Sequence, residues 1–229
     1  MDGPERFPSS DQGSTAALNA GLAVAGVTAL AVGGPLVGIS PGWITVAVVA
    51  GLVLLSVDAA RFSGLGGHLL AEALPLGIGA ARLRRIAIHE AGHVLVAADN
   101  NLPVTRVLVG SRACLGQGLR ANGSTELEPP PHAKLPLGDL RRWSRVLQAG
   151  QVAEQLVYGN AIGGADDRAQ LGRLWGLSGH DVATAQREQR QARREVELAL
   201  RAQQDRLSQQ AEQLLAGAPR LWRPSPAEG

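Results

Sequence analysis

Cysteine is almost missing from this chain. Cys114 stands alone in 229 residues, so no intramolecular disulfide framework can staple the fold, and a cysteine-built zinc cluster has no ligands. A reducing compartment suits that usage. Lysine is equally scarce: Lys134 is the only one, and the other basic residues are arginine. A phosphate-binding P-loop needs a Gly-Lys pair, whereas Lys134 follows Ala133, so the chain has no nucleotide site of that kind. Aromatic residues make up 3% of the chain and the formal net charge is only +2. Both values exclude the basic and aromatic surface of a nucleic-acid binder.

Charge itself is missing from residues 12–57, a run of 46 positions without Asp, Glu, Lys, Arg or His. One membrane-spanning helix needs only about 20 apolar residues, so the run has room for two passes and a turn. Gly33, Gly34 and Pro35, then Ser40, Pro41 and Gly42, break the helical pattern where such a hairpin must reverse. The expected helices are 15–32 and 42–57, with Trp43 at the headgroup level. The leader carries Asp2, Glu5 and Asp11 against Arg6, which does not suit a cleaved signal peptide. Arg61, Arg82, Arg84 and Arg85 follow the second helix and put its exit on the cytoplasmic or equivalent side. Residues 64–81 are again apolar apart from His68 and Glu72, and either lie on the membrane surface or tuck under the following domain.

Residues 82–100 read as one helix, with Leu83, Ile86, Ile88, Val94, Leu95 and Val96 as its apolar positions and a stop at Asn100, Asn101 and Pro103. Inside it sits His89-Glu90-Ala91-Gly92-His93. Residues four apart on a helix lie about 40° from the same face, one turn up. Both imidazoles can therefore bind one tetrahedral zinc ion while Glu90 stands beside them. In that arrangement zinc lowers the pKa of a water molecule, and the carboxylate takes the proton as the water attacks a peptide carbonyl. A third ligand must come from elsewhere. Asp99 lies about 120° round the helix from His93 and cannot reach if the helix continues. Glu154 is available on the helical run 143–158. Asp166 and Asp167 follow the loop 160–165 at the start of a new helix, where one can cap and the other can bind metal.

The residues Ile86-Ala87-Ile88-His89-Glu90-Ala91-Gly92-His93, then Ala149-Gly150-Gln151-Val152-Ala153-Glu154-Gln155-Leu156-Val157-Tyr158-Gly159, then Gly163-Gly164-Ala165-Asp166-Asp167 resemble the peptidase domain of FtsH-type membrane proteases. The likeness covers roughly 82–216 in order and spacing. It implies a zinc metalloendopeptidase with His89, His93 and Asp167 as ligands, Asp166 and Glu154 as alternatives for the third, and Glu90 as general base. The family's ATPase module has no counterpart here. The expected organisation is a leader at 1–14, a transmembrane hairpin at 15–60, an apolar connector at 61–81, a peptidase domain at 82–218 and a disordered tail at 219–229. The expected fold class is mostly α (α+β), with a small β element. Expected partners are peptide or unfolded protein substrates, the membrane, and a separate ATPase or FtsH-type complex. The alternative is an inactive FtsH-like membrane scaffold or adaptor, although a relative freed from catalysis has no physical need for Glu90.

Within the domain, 107–109 and 115–120 read as short strands, and Gly116, Gln117 and Gly118 are the expected substrate-binding edge, where a peptide can come close to the backbone. Residues 125–136, with three consecutive prolines, read as a mobile lid, and His132 as a solvated loop residue. Residues 181–215 read as one long helix whose stripe of Val196, Leu200, Leu207 and Leu214 packs on its own domain or on a neighbouring subunit.

Overall fold

The computed structural model describes residues 11–62, 65–73, 77–130 and 132–219. The first ten residues of the expected leader and residues 220–229 of the expected tail lie outside them. The chain divides into two compact units, Met1–Gly64 and Leu65–Gly229. The described residues are mostly helical, with one small two-stranded sheet.

The first unit holds α1 (Asp11–Leu36) and α2 (Pro41–Phe62). The turn between them forms as its glycine and proline residues dictate. Gly38 takes φ +82°, the Gly34 carbonyl accepts the N–H groups of Val37 and Ile39, and Pro41 opens α2 with the φ it already prefers. At Gly34 a Cβ would come within 2.6 Å of Ile44 Cδ1, so the two helices meet there backbone to side chain. Beyond that contact, Val46, Val49, Leu52, Val53 and Leu54 are each more than half exposed, an apolar surface that water does not favour. Pro41–Asp58, with mean hydropathy 1.8, is long and apolar enough to cross a membrane, and Val24–Leu36 of α1 is apolar as well. The hydroxyls of Thr45 and Ser56 donate to the carbonyls of Pro41 and Leu52, so neither is left unpaired in that span.

The second unit begins with α3 (Leu65–Ala73), which packs on the domain: Glu72 Oε1 accepts the Ser111 N–H at 2.7 Å, and Arg82 Nη2 donates to His68 Nδ1 at 2.6 Å. Residues 65–73 of the connector thus dock on the domain. Next come α4 (Ile78–Asp99), β1 (Val104–Val109), α5 (Ser111–Gly116) and β2 (Gly123–Leu127). They are followed by α6 (Leu137–Tyr158), α7 (Ala165–Ser178), α8 (Val182–Ala202) and α9 (Gln204–Gly217).

α4 and α6 cross at the centre. Gly92 permits the close approach, because a Cβ there would stand 2.7 Å from the Ala149 carbonyl oxygen and 2.8 Å from Ala153 Cβ. Ala87, Ile88, Ala91 and Leu95 from α4 meet Val146, Ala149, Val152 and Ala153 from α6 in one core cluster. Val196 and Leu200 of α8 and Leu207 of α9 close the same cluster from behind, so the apolar stripe packs on its own domain. A second cluster joins Leu140, Trp143 and Leu147 of α6 to Leu171, Leu174 and Trp175 of α7, with the Trp175 indole N–H donating to Ser144 Oγ at 2.9 Å.

Three expectations about elements need correction. The second strand is not 115–120: that stretch ends α5 and turns at Gly118 (φ +74°), and the partner of β1 is β2, antiparallel with Val107 opposite Thr125. Gly116 and Gly118, read as strand interruptions, instead end a helical turn. The start of the expected lid, 125–127, is therefore strand, and Glu128 continues it by donating its N–H to the Pro103 carbonyl. The long C-terminal helix breaks at Gln203 (φ −120°, ψ 28°), whose side chain donates to Asp99 Oδ2 at 3.0 Å.

Candidate metal centre

The apolar positions of α4 turn its His89 and His93 inward, and both are under one-tenth exposed. Asp167 reaches them from the first turn of α7, directly after the Gly163-Gly164 turn. Its Oδ2 lies 3.2 Å from His89 Nε2 and 3.4 Å from His93 Nε2, and the ligand atoms of the three residues all lie within 4.8 Å of one another. This His-His-Asp group could hold a metal ion.

The backs of both rings are already engaged. His93 Nδ1 is 2.8 Å from the Val146 carbonyl, which can only accept, so Nδ1 carries a proton and Nε2 is the nitrogen that faces Asp167. His89 Nδ1 is 2.7 Å from Glu154 Oε1, and the same argument applies. Two nitrogen lone pairs and a carboxylate thus converge, and only a cation or a proton between them relieves the repulsion. Without a metal, that proton belongs to His89. Burial opposes its charge, yet hydrogen bonds to Asp167 and Glu154 outweigh the penalty and raise the ring to about 10. Asp167, despite its own burial, is held well below the usual carboxylate range by His93 and His89. The donor set, its tautomers and its charge therefore fit a divalent ion that accepts nitrogen and oxygen ligands.

Glycines make room for the rings. A Cβ on Gly150 would lie 2.5 Å from His89 Cδ2 and 2.6 Å from Cε1, and one on Gly163 would lie 3.0 Å from Cε1 and Nδ1. His89 is therefore sandwiched between α6 and the turn before α7. Gly123 does the same for Glu90, since a Cβ there would overlap Glu90 Oε1 and come within 2.6 Å of Ile86 Cγ2.

Glu90 is 4% exposed, and its Oε2 accepts a hydrogen bond from Thr125 Oγ1 at 2.7 Å. Burial raises its pKa, while the two histidines and the Thr125 hydroxyl pull against that rise. A cleft of about 450 Å³ opens on His93 and Asp167, walled by Ser124, Thr125 and Leu127 of β2 on one side and by Trp143 and Leu147 of α6 on another.

The other sequence candidates lie elsewhere. Glu154 faces the outer nitrogen of His89 and is saturated: its two oxygens also accept from Arg85 Nε at 2.6 Å, Ile162 N–H at 2.9 Å and Gly163 N–H at 3.1 Å. Burial opposes its charge, but the His89 ring, the Ile162 N–H and Arg85 outweigh it and lower its pKa. Asp166 is exposed on the far side of the first turn of α7. Asp99 is exposed and bonded to Gln203, and His132 is exposed. Gly116, Gln117 and Gly118 do not line the cleft, and Gln117 Oε1 accepts from Arg106 Nη1 at 2.6 Å instead. Sequence reasoning found no role for Thr125, Gly150 or Gln151. Only the Gly150-Gln151 pair carried a signal, its place four residues and three residues before Glu154 on a helix whose inward face was unknown. Compared with known proteins, the chain matches no family model and no curated sequence.

Proposed function

We propose that this protein is a zinc metalloendopeptidase anchored in a membrane by its N-terminal unit. The observation that carries the reading is the convergence of His89 Nε2, His93 Nε2 and Asp167 Oδ2 beside a buried Glu90, with His93 and Asp167 lining a cleft. The resemblance to FtsH-type peptidase domains supports it independently, through the order and spacing of the same residues.

His89, His93 and Asp167 are the metal ligands in this reading. Zinc, when bound, makes a water molecule acidic near neutral pH and polarises the carbonyl to be attacked. Glu90 accepts the proton of the attacking water and delivers it to the departing amine. Its desolvation makes it a stronger base than a surface carboxylate, and Thr125 holds one of its oxygens in place. Glu154 fixes the tautomer and orientation of His89, and the Val146 carbonyl does the same for His93. The substrate is an extended peptide lying along β2, whose strand borders the cleft and offers backbone hydrogen bonds without sequence preference. That assigns to Ser124–Leu127 the role first expected of Gly116, Gln117 and Gly118.

Loose tails and unfolded membrane proteins are the substrates such a site can reach unaided, with a separate ATPase or FtsH-type complex as a supplier of others. The domain faces the cytoplasm or its equivalent. Arg61, in the last turn of α2, and Arg82, Arg84 and Arg85 beyond it are the residues that support this orientation.

The test is Glu90→Gln in the full-length, detergent-purified protein. Zinc content by mass spectrometry should remain at the wild-type level, while hydrolysis of unfolded casein falls at least about a hundredfold. Unchanged turnover overturns the assignment.

A further inference from the structure

We propose that Gln151 is a positioning residue for the third metal ligand, acting on Asp167 through the turn that precedes it. The proposal rests on reading His89, His93 and Asp167 as ligands. It adds the residue that sets where the carboxylate of Asp167 stands.

Asp167 is the third residue of α7, so its location follows from where that helix begins. The start is poorly defined by its own sequence. Gly164, at the N-cap, has no side chain to cap with and sits at φ +85°, a conformation that glycine visits freely among several others. An external restraint is needed, and α6 provides it. Gln151 Nε2 donates to the Gly163 carbonyl at 3.0 Å and lies 3.4 Å from that of Gly164. The amide also packs flat on the turn: a Cβ at Gly164 would stand 2.5 Å from Gln151 Cγ and 2.6 Å from Nε2. Among the described residues, Arg168 Nη1 also donates to the Gly163 carbonyl, at 3.5 Å and from an exposed position. Gln151 is itself 9% exposed, so its amide would be costly to bury without these partners.

The geometry makes α6 the element that locates the ligands without supplying one. Val146 holds His93, Gly150 makes room for His89, Glu154 orients it, and Gln151 places Asp167. These four positions fall within about 140° of the helix circumference.

The experiment measures Zn²⁺ affinity of the full-length protein in detergent by competition with a chromogenic chelator, with Co²⁺ absorption as a reporter of coordination geometry. Gln151→Met keeps length and bulk but has no donor, and Gln151→Glu keeps shape but turns an acceptor toward two carbonyls. Each should weaken Zn²⁺ about tenfold and alter the Co²⁺ spectrum, with unchanged helical circular dichroism. In an Asp167→Ala background, Gln151→Met should cause no further loss, because its effect runs through that carboxylate. Wild-type affinity in Gln151→Met overturns the proposal, as does an equal tenfold loss in the Asp167→Ala background. Wild-type affinity in His93→Ala defeats the metal-site reading instead, and the role of Gln151 falls with it.

Discussion

Replacing Gly150 by alanine sets two known effects against each other. In the middle of α6, alanine favours the helix over glycine by about 0.8 to 1 kcal/mol. The new methyl, however, would stand 2.5 Å from His89 Cδ2 and 2.6 Å from Cε1, where ordinary contact begins near 3.4 Å. His89 must retreat by roughly 1 Å, but Gly163 packs against the ring's far edge and Glu154 holds its Nδ1. Overpacking of this kind costs about 1 to 3 kcal/mol, so metal-free stability should fall by at most about 2 kcal/mol. The effect on metal is larger. A 1 Å shift is several times the roughly 0.2 Å tolerance of a coordination bond, so Zn²⁺ affinity should drop by about a hundredfold or more. At fixed free Zn²⁺, a hundredfold loss removes about 2.7 kcal/mol of metal-linked stabilisation. The Zn²⁺-induced rise in melting temperature should therefore shrink by roughly 5 to 10 °C. The control is Gly172→Ala or Gly176→Ala on α7, where the added methyl meets nothing within 4 Å and the helix gain acts alone. Both controls should keep wild-type Zn²⁺ affinity and melt slightly higher. A Gly150→Ala protein that binds Zn²⁺ as tightly as wild type would refute the argument that α6 and His89 share this space.

Three further outcomes follow from the same geometry. Asp167→Ala should lose Zn²⁺ on dialysis while Asp166→Ala retains it, since only Asp167 stands beside both imidazoles; metal analysis of the pair decides, and equal retention would contradict the ligand set. Zn²⁺ binding near pH 7.5 should release about one proton, because His89 is held protonated up to about 10 when no cation is present. Apparent affinity should then fall about tenfold for each pH unit from 9 down to 7, and calorimetry in buffers of different ionisation enthalpy reads the count. In the metal-free protein the same raised pKa contributes stability that is full below 6.5 and is lost as the pH climbs toward about 10, so the apo form should melt lower in mildly alkaline buffer.

The histidine pair was legible because its logic is local: four residues on a helix place two rings on one face wherever the helix packs. Asp167 was legible as one of three acidic candidates, yet choosing among them needed the crossing of α4 and α6, which sends Glu154 behind His89 and leaves Asp166 exposed. Nothing in the sequence near Gly123–Leu127 marks a strand as strongly as Val104–Val109 does; β2 is a strand because β1 offers it a partner, with Arg106 paired to Glu126 across the two. Gly116 and Gly118 misled for the converse reason, since glycine reads alike in a weak strand and at the end of a short helix. The roles of Gly150 and Gln151 depend on contacts with residues 61 and 12 or 13 positions away, and no local pattern announces such contacts.

The wall behind the site has a consequence for how the chain matures. Val196, Leu200 and Leu207 belong to the same core as the helices bearing the histidines and Glu154, although they arrive after every group that the chemistry requires. A nascent chain halted after α7 would own all its reactive groups but lack the support that presses α4 onto α6. On the proposed reading, a site fit to hold metal therefore waits for α8 and α9 to emerge from the ribosome.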